Sequence, residues 1–581
     1  MISDSEWFQN SEYQKYWTLP EHAPSDAQIR IFRKIDAALQ KGYRNIIVNA
    51  GTGIGKSAIA TTIANCFSSA YICTKTINLQ KQYMQDFEEM LVELKGKKHY
   101  QCFFNASCDN CYVEQVNENG SIADKKELLN GEHGRSFTFH DYISEEEYDE
   151  IISNMMIWKC TDCPYRLAIL AAQKNNYVNA NYHSIYFNSH VIKRFEMRNL
   201  IIFDECHNFE NIMMDIIGFS VNPDKIYEQY NIYVFDAESE ELQSNKYWIK
   251  IHEDIITKLE EKKSQEVGEL QGRADDNIIK AIELEYDQKI LQIRHKIDNL
   301  SSGEWYVKIP KHEDWFDAKK NNILFKPLFG KEYTQRLLGL GVVRLFFTGT
   351  LPNPETYCNW IGINSNETCF IYEKSPFPVE NRPVIKNYLG NFNAKYNTFV
   401  NGKVVPAWKN ETVLTGICGL LDKHSDENIL IHTSSIDQTN WLYDELDYKG
   451  YDVLSAYGDE RDDYISLFKS SDVYNILISP SIKEGVDFKG PLCTAQIIFK
   501  VPRPVYKNEV KARCDLDNDW YTFHTTIPLM QSYGRGIRSS SDVCVTYVVD
   551  EAFENLLKYN LHLFEEYFLE GVDYGLSNGV G

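Results

Sequence analysis

The sequence predicts an α/β protein with two parallel-sheet domains, the first of which is interrupted by two insertions. Short apolar segments alternate with amphipathic segments in two separate series, as expected of parallel strands joined by helices. A cysteine-bearing segment and a long charged segment break the first series. The length of 581 residues exceeds what one hydrophobic core usually organises, so several domains are expected.

The first series opens with a helix, a strand, a glycine-rich turn and a second helix. Apolar periodicity predicts a helix over 28–40, a strand over 45–48 and a helix over 58–67,. Another short apolar strand is predicted at 70–74, and helical periodicity follows it over 79–94. This order is typical of the first half of a nucleotide-binding α/β unit.

Two insertions follow within the first domain. From residue 96 to about 175 the pattern breaks into cysteine-bearing loops around an acidic stretch, and the apolar strand 200–203 then resumes the α/β rhythm. A charged segment over 209–335 is predicted to be largely helical, above all in 255–299,. The strand 342–347 returns the chain to the first sheet.

A second α/β series begins after Pro376 and Pro378, with strands predicted at 428–432, 475–479 and 496–499,. We therefore expect a divided first domain, two insertions and an undivided second domain. The expected bounds are 1–95, 176–208 and 336–362 for the first domain, 96–175 and 209–335 for the insertions, and 363–581 for the second domain.

Composition excludes several classes of protein. A hydrophobic fraction of 43% with 13% aromatics is typical of a folded globular chain. The N-terminus is acidic and polar, and no run of about 18 apolar residues is present, so we expect neither secretion nor a membrane span. A cytoplasmic location is expected, or a nuclear one in a eukaryote. The net charge of −23 predicts weak non-specific adhesion to duplex DNA.

A phosphate-binding loop is the first motif that carries chemistry. The segment lies between an apolar strand and a helix and reads Ala50-Gly51-Thr52-Gly53-Ile54-Gly55-Lys56-Ser57. Glycines let backbone amides turn towards phosphates, and the helix N-terminus favours their charge. We expect Lys56 to reach the β and γ phosphates of ATP and the Ser57 hydroxyl to bind Mg²⁺. Ala50 stands where the strict pattern has glycine.

Two adjacent carboxylates follow the strand 200–203, at the edge where parallel sheets present ligands,. We expect Asp204 to hold Mg²⁺ and Glu205 to orient the attacking water. An Asp-Glu pair alone is weak support for a function. Here a phosphate loop precedes it, and His207 completes an Asp-Glu-x-His sequence.

A glutamine and two arginines near the C-terminus complete the set. Gln531, Arg535 and Arg538 lie in Gln-Ser-Tyr-Gly-Arg-Gly-Ile-Arg, which we place at the start of a helix, where residues three and four apart share a face. Facing the first domain, the guanidiniums are expected to stabilise the charge that develops during γ-phosphate transfer.

Together these segments resemble the XPD/DinG branch of superfamily 2 helicases, over about 28–553. Further motifs stand in that family's order: Thr74-Lys75-Thr76 with Leu79 and Gln82, Thr348-Gly349-Thr350-Leu351, Ser375-Pro376-Phe377, Ile431-His432-Thr433 and Glu484-Gly485-Val486-Asp487. The order is more specific than any one motif. Cys206 and Gly349 replace the alanines that are usual at those two places, and both are small residues.

The resemblance implies two RecA-like motor domains and an ATP-dependent DNA helicase that acts in repair or replication. It implies movement in the 5′ to 3′ direction along single-stranded DNA, unwinding of forked duplex DNA, and a helical insertion, the arch, beside a cluster domain. Gln28 is expected to contact adenine and Asp487 to contribute to the nucleotide site. We expect a monomer. A translocase that strips bound proteins without processive unwinding has the same motifs and remains the alternative.

The cysteines are the family's other mark. Five of the fourteen cluster in the first insertion, between the phosphate loop and Asp204: Cys102, Cys108, Cys111, Cys160 and Cys163. In the family this position holds a 4Fe-4S cluster, with Cys102 and Cys163 resembling its first and last ligands. Either Cys108 and Cys111 complete the set, or Cys160 serves in place of one of them. A zinc site with the same thiolates is the other possibility, since spacing does not distinguish the two metals.

Overall fold

The structure is a computed structural model that describes residues 3–51, 53–100, 164–235, 241–271, 276–311, 321–351, 353–471, 473, 475–481, 486, 488, 490–539 and 541–577. Its strands, in chain order, are β1 Asn45–Ala50, β2 Ala70–Thr74, β3 Val92–Leu94, β4 Tyr177–Asn181, β5 Arg198–Phe203, β6 Phe219–Val221, β7 Trp305–Lys308, β8 Ile323–Pro327, β9 Gly341–Thr348, β10 Thr368–Glu373, β11 Val384–Gly390, β12 Thr398–Val400, β13 Lys403–Val405, β14 Ile429–His432, β15 Val453–Ser455, β16 Ile476–Ser479, β17 Ala495–Ile498 and β18 Val545–Asp550.

The α-helices, in chain order, are α1 Asp4–Gln9, α2 Glu12–Lys15, α3 Asp26–Gln40, α4 Lys56–Asn65, α5 Ile77–Phe87, α6 Pro164–Lys174, α7 Tyr182–Tyr186, α8 Phe209–Ile217, α9 Pro223–Tyr230, α10 Asn245–Leu270, α11 Asp276–Ser301, α12 Lys331–Leu338, α13 Pro354–Trp360, α14 Glu411–Lys423, α15 Ile436–Tyr448, α16 Arg461–Ser470, α17 Asn508–Leu516, α18 Asn518–Tyr533, α19 Ala552–Tyr559 and α20 Glu566–Ser577. None of the helices in the described part of the chain has the length and apolar character needed to cross a membrane.

Two parallel sheets organise the molecule, as the sequence predicts. The first has seven strands in the order β10-β1-β9-β5-β2-β4-β3, and the second has six in the order β11-β18-β17-β14-β16-β15. Helices cover both faces, so central strands such as β1 are buried along their whole length,. All strands of a parallel sheet end at one edge, and this brings residues that are distant in sequence to a common site.

The first sheet extends further along the chain than expected. β10 pairs in parallel with β1, from Thr368 opposite Asn45 to Glu373 opposite Ala50. The start of the second motor, expected at residue 363, therefore moves to the segment after Glu373. A second difference concerns the predicted helix 79–94: α5 ends at Phe87, and Val92–Leu94 instead forms β3, which pairs with β4 at the edge of the sheet.

The insertion between β5 and β9 forms a small domain with its own core. Two helices of 26 residues, α10 and α11, pack together through side chains such as Ile255, Leu259 and Ile290. The prediction of a largely helical segment is correct, and the structure adds an antiparallel sheet in the order β6-β8-β7 at its base. The other insertion, with its five cysteines at 102, 108, 111, 160 and 163, lies outside the described residues.

Candidate active site

The phosphate loop has the backbone shape that anion binding requires. β1 ends at Ala50 and α4 begins at Lys56, with Gly53 at φ 81° and Gly55 at φ 80° between them. Those left-handed values favour glycine, and they turn successive amides towards a common point at the helix N-terminus. Lys56 Nζ donates to the carbonyls of Ala50 at 3.2 Å and Gly51 at 3.3 Å, so its charge lies over the loop. Thr52 lies outside the described residues.

Gln28 lies directly against this loop. Its Oε1 accepts from Ser25 N at 2.8 Å, while Gln28 N donates to Ser25 Oγ at 3.3 Å, so the two residues cap the start of α3. A β-carbon built on Gly55 would lie 2.6 Å from Gln28 Nε2. The capping contact therefore fixes the amide beside the loop, and contact with adenine stays a prediction.

The two adjacent carboxylates lie at the end of β5, beside the loop. Asp204 is 3% exposed, its Oδ1 accepts from Glu205 N at 2.9 Å and its Oδ2 accepts from the Tyr83 hydroxyl at 2.9 Å. Burial and the nearby charge of Glu205 raise the pKa of Asp204 to about 6, against the opposing effects of Lys56 and the Tyr83 hydrogen bond. Glu205 has φ 49°, a left-handed value that is uncommon outside glycine,.

Tyr83 is a site residue that the sequence reasoning missed. It belongs to α5, is fully buried, and donates to the carboxylate expected to hold Mg²⁺. A second buried tyrosine, Tyr182, donates to the main-chain carbonyl of Asp204 at 3.0 Å. One feature of the sequence could have identified Tyr83: it is a hydroxyl-bearing residue on the apolar face of the helix that follows Thr74-Lys75-Thr76.

His207 connects the first motor to the second. Its Nδ1 lies 3.0 Å from Thr348 Oγ1, at the end of β9, and 3.4 Å from Glu205 Oε2. Its Nε2 lies 2.6 Å from Gln531 Nε2, on the last turn of α18. One imidazole therefore contacts the end of β5, the Thr348 segment and the glutamine of the second motor.

The arginine block follows a helix, and the prediction that it begins one is wrong. α18 ends at Tyr533 with Gly534 as its C-cap, so Arg535 and Arg538 lie in the loop that precedes β18. Glycines at 534 and 536 explain the difference, since glycine favours the end of a helix over its interior,. Arg535 is 8% exposed, and its Nη1 donates to the Val486 carbonyl at 3.0 Å.

The arginine loop and the phosphate loop touch. A β-carbon built on Gly53 would lie 2.6 Å from the Arg538 carbonyl oxygen and 2.7 Å from Phe377 Cζ. Asp542 Oδ2 accepts from Arg538 N at 2.7 Å and from Ser539 N at 2.8 Å, which holds the arginine loop in shape. The structure thus brings Lys56, Asp204 and the arginine loop to one region of the molecule, and their roles in catalysis stay predictions.

Two buried carboxylates outside these motifs also join the motors. Glu565, just before α20, accepts from Asn49 Nδ2 at 2.8 Å and from the Leu351 amide, and burial raises the pKa of Glu565. Glu210, in the first turn of α8, accepts from Trp520 Nε1 at 3.2 Å and lies 3.6 Å from Arg513 Nη2, with both charged side chains 3% exposed. Neither contact leaves a local pattern in the sequence.

Metal ligation by the clustered cysteines stays a prediction. All five, together with Asp487 of the second motor, lie outside the described residues. Among the residues that are described, no group of three or more His, Cys, Asp or Glu side chains is arranged to hold a metal ion. Cys73, which lies outside the cluster, is fully buried in β2.

Two family models match the chain. The model of the type III restriction enzyme res subunit matches 21–234, a range that contains the phosphate loop and the Asp204-Glu205 pair. The model of the helicase C-terminal domain matches 418–566, which holds the arginine block. The chain belongs to the superfamily 2 helicases. The helicase thus has both halves of its nucleotide cleft in matched regions, and no curated protein sequence matches it.

Solved helicase structures share this fold. A structure described as an XPD helicase matches with a TM-score of 0.53 and 15% identity, over 93% of this chain and 98% of the other. An XPD4 structure from S. tokodaii has a TM-score of 0.48 and 12% identity, over 92% of this chain and 97% of the other. The first of these matches shows that the two-motor fold is shared with that XPD helicase structure despite low identity.

Proposed function

We propose that this helicase uses ATP hydrolysis to unwind duplex DNA while moving 5′ to 3′ along one strand. The observation that carries the proposal is the contact between the motors: Gln531 lies 2.6 Å from His207, and the Arg538 carbonyl packs against Gly53. Because residues of both motors lie beside one phosphate loop, the rate of hydrolysis depends on how the two motors are positioned relative to each other. Such sensitivity is what converts hydrolysis into movement.

The described side chains fit the chemistry of phosphoryl transfer. Lys56 would bind the β and γ phosphates, and the Ser57 hydroxyl and Asp204 would hold Mg²⁺, whose charge would offset that of the phosphates. Glu205 orients the attacking water. Arg535 and Arg538 approach from the second motor and stabilise the charge that develops on the γ phosphate. The left-handed backbone at Gly53 and Gly55, with the Lys56 side chain over the loop, supports this assignment.

Movement along the strand follows from alternation between two states. With ATP bound, the arginines draw the second motor onto the first, and hydrolysis releases them. His207 senses the state of the cleft, because it contacts Gln531 on one side and Thr348 on the other. Thr348 begins the Thr-Gly-Thr segment that couples ATP to the strand in the family this chain resembles. The helicase thus acts on single-stranded and forked duplex DNA, as a monomer.

A 4Fe-4S cluster on the first insertion completes the proposal. Four of the five clustered cysteines would hold it, and the domain that it organises would stand at the point where the strands separate. The support is the position of the cysteines, between β3 and α6. Anaerobically purified protein is expected to absorb near roughly 400 nm and to contain iron. Stoichiometric zinc without that absorbance would instead establish the zinc site.

Strand displacement on matched substrates tests the function. We expect unwinding of a duplex with a 5′ single-stranded overhang and none with a 3′ overhang, in the presence of ATP and Mg²⁺. The same duplexes made of RNA measure the preference for DNA. Hydrolysis and movement on single strands without displacement of any duplex would support the translocase, and equal use of both overhangs would contradict the polarity.

A further inference from the structure

The hairpin formed by β12 and β13 on the second motor lies in a segment that is rich in basic residues and exposes apolar side chains. Between Glu380 and Glu411 the chain contains no acidic residue but five lysines or arginines, although the net charge of the protein is −23. Two of the five, Arg382 and Lys386, pair with Glu570 and Glu554. Lys395, Lys403 and Lys409 lie in and around the hairpin, and all three are exposed. A local surface of opposite sign to the whole protein is suited to an anionic ligand.

The hairpin presents apolar side chains to solvent. β12 and β13 pair so that Phe399 lies opposite Val404, and these two side chains are 77% and 55% exposed. Asn401 at φ 51° and Gly402 at φ 74° form the two-residue turn, which matches the twist of the two strands,. Large apolar side chains exposed together mark surfaces that bind something.

Aromatic packing holds the base of the hairpin in place. Trp408 packs on Trp441 at 5.5 Å and on Phe499 at 6.4 Å between ring centroids. Asn397 Oδ1 accepts from Ala407 N at 3.0 Å, which closes the base. A two-stranded hairpin alone is only marginally stable, so this anchoring keeps its exposed tip in a defined position.

The position of the hairpin places it beside the helicase motifs of the second motor. β11, which leads into the hairpin, and β14, which ends at His432, are parallel strands separated by β18 and β17. Their carboxyl ends therefore share one edge, about 14 Å apart for three strand spacings. Asp550 at the same edge accepts from Phe392 N at 3.0 Å and from Val501 N at 3.1 Å.

We propose that this hairpin is a binding site for single-stranded nucleic acid on the second motor. Phe399 stacks on a base, and Lys395, Lys403 and Lys409 lie along the phosphates. Exposed aromatics combined with cations are the usual means of holding a single strand without reading its sequence. The inference rests on the proposed function, since it assigns a contact to the strand along which the motor moves. The positive surface favours this ligand over a protein partner.

Fluorescence anisotropy with a labelled oligothymidylate, without ATP, tests the site. Loss of one stacked base predicts that Phe399→Ala binds about 5-fold to about 100-fold more weakly, and that Phe399→Trp retains binding. Exchange of all three lysines for glutamine is expected to reduce the slope of log affinity against log salt by about 2, since each phosphate contact on a single strand contributes about 0.7.

Tyr448→Ala is the matched control, because it also removes an exposed aromatic side chain from the second motor. Tyr448 is 89% exposed at the end of α15, a helix that runs from the end of β14 back to the start of β15, so it lies at the opposite edge of the same sheet. We expect its affinity for the oligonucleotide to be unchanged. ATPase without nucleic acid should also be unchanged in both variants, which verifies that each is folded.

The outcomes separate this proposal from the function on which it rests. Normal binding by Phe399→Ala, with wild-type unwinding intact, overturns the hairpin site and leaves the helicase function standing. Weaker binding by Phe399→Ala, in a protein that shows no displacement of any duplex, supports the site and overturns the function. Equal loss of binding in Tyr448→Ala also overturns the site, because the effect is then not specific to the hairpin.

Discussion

Replacement of Tyr83 by phenylalanine removes one hydroxyl from the buried surroundings of Asp204. That hydroxyl donates to Asp204 Oδ2 at 2.9 Å, and α5 holds it in a fully buried position. The ring remains, so packing is retained. The variant therefore isolates the effect of one hydrogen bond on a carboxylate whose ionised form is already disfavoured by burial.

The size of the effect follows from that hydrogen bond. A hydrogen bond to a charged group contributes about 1.5 to 3 kcal/mol, which corresponds to about one to two pKa units. The pKa of Asp204, about 6, should rise because Tyr83 stabilises the ionised form. Mg²⁺ binding needs that ionised form, so activity is lost as the pH falls through the pKa. The variant therefore loses activity at a higher pH than the wild type.

Steady-state ATP hydrolysis measured across pH tests this reasoning. The acid limb of kcat/KM reports the free enzyme; we expect it near pH 6 in the wild type and about one to two units higher in Tyr83→Phe. Tyr182→Phe is the control, because its hydroxyl donates to the Asp204 carbonyl and not to the carboxylate. An acid limb that stays in place in Tyr83→Phe, or moves equally in Tyr182→Phe, refutes the reasoning.

Three further outcomes are expected. Lys56→Ala should lower ATP turnover by at least about 100-fold, since it removes the cation above the loop, and retained turnover would defeat the site assignment. Glu210→Ala leaves Arg513 buried without its partner, which should destabilise the protein by about 3 to 5 kcal/mol in denaturant titration; a loss below about 1 kcal/mol would argue against the buried pair. Cys163→Ser should lose the cluster absorbance and unwinding but keep most ATPase, with Cys160→Ser as the comparison. Intact unwinding would contradict the placement of the cluster domain at the point where the strands separate.

The sequence predicted most of the alternating strands and helices of the two sheets, and the motifs that follow the strands. Apolar runs such as Ala70–Thr74 are buried on both faces of a parallel sheet, so local hydrophobicity alone identifies them,. The phosphate loop directly follows one of these apolar strands, and the Asp204-Glu205 pair directly follows another. All strands of a parallel sheet end at one edge, so these segments meet there. The sequence therefore predicts which residues line the cleft, but not the distances between them.

Elements that depend on distant pairing were not predictable in the same way. Val92–Leu94 continues an apparent helical pattern, but the exposed edge of β4 pairs with it as a strand. The arginine block has residues spaced as on a helix face, while the glycines around Arg535 end the helix first. Contacts such as Glu565 with Asn49 join residues more than five hundred positions apart and leave no local pattern in the sequence.

Single-turnover ATP hydrolysis by Arg538→Ala, with ATP affinity measured on the same protein, tests most directly that both motors act on one nucleotide. The phosphate loop and Lys56 are unchanged in this variant, so ATP should still bind with nearly normal affinity. Turnover should fall by about 1,000-fold or more, as expected when a transition-state arginine is removed. Wild-type turnover at saturating ATP would contradict the shared cleft and, with it, the coupling of hydrolysis to movement.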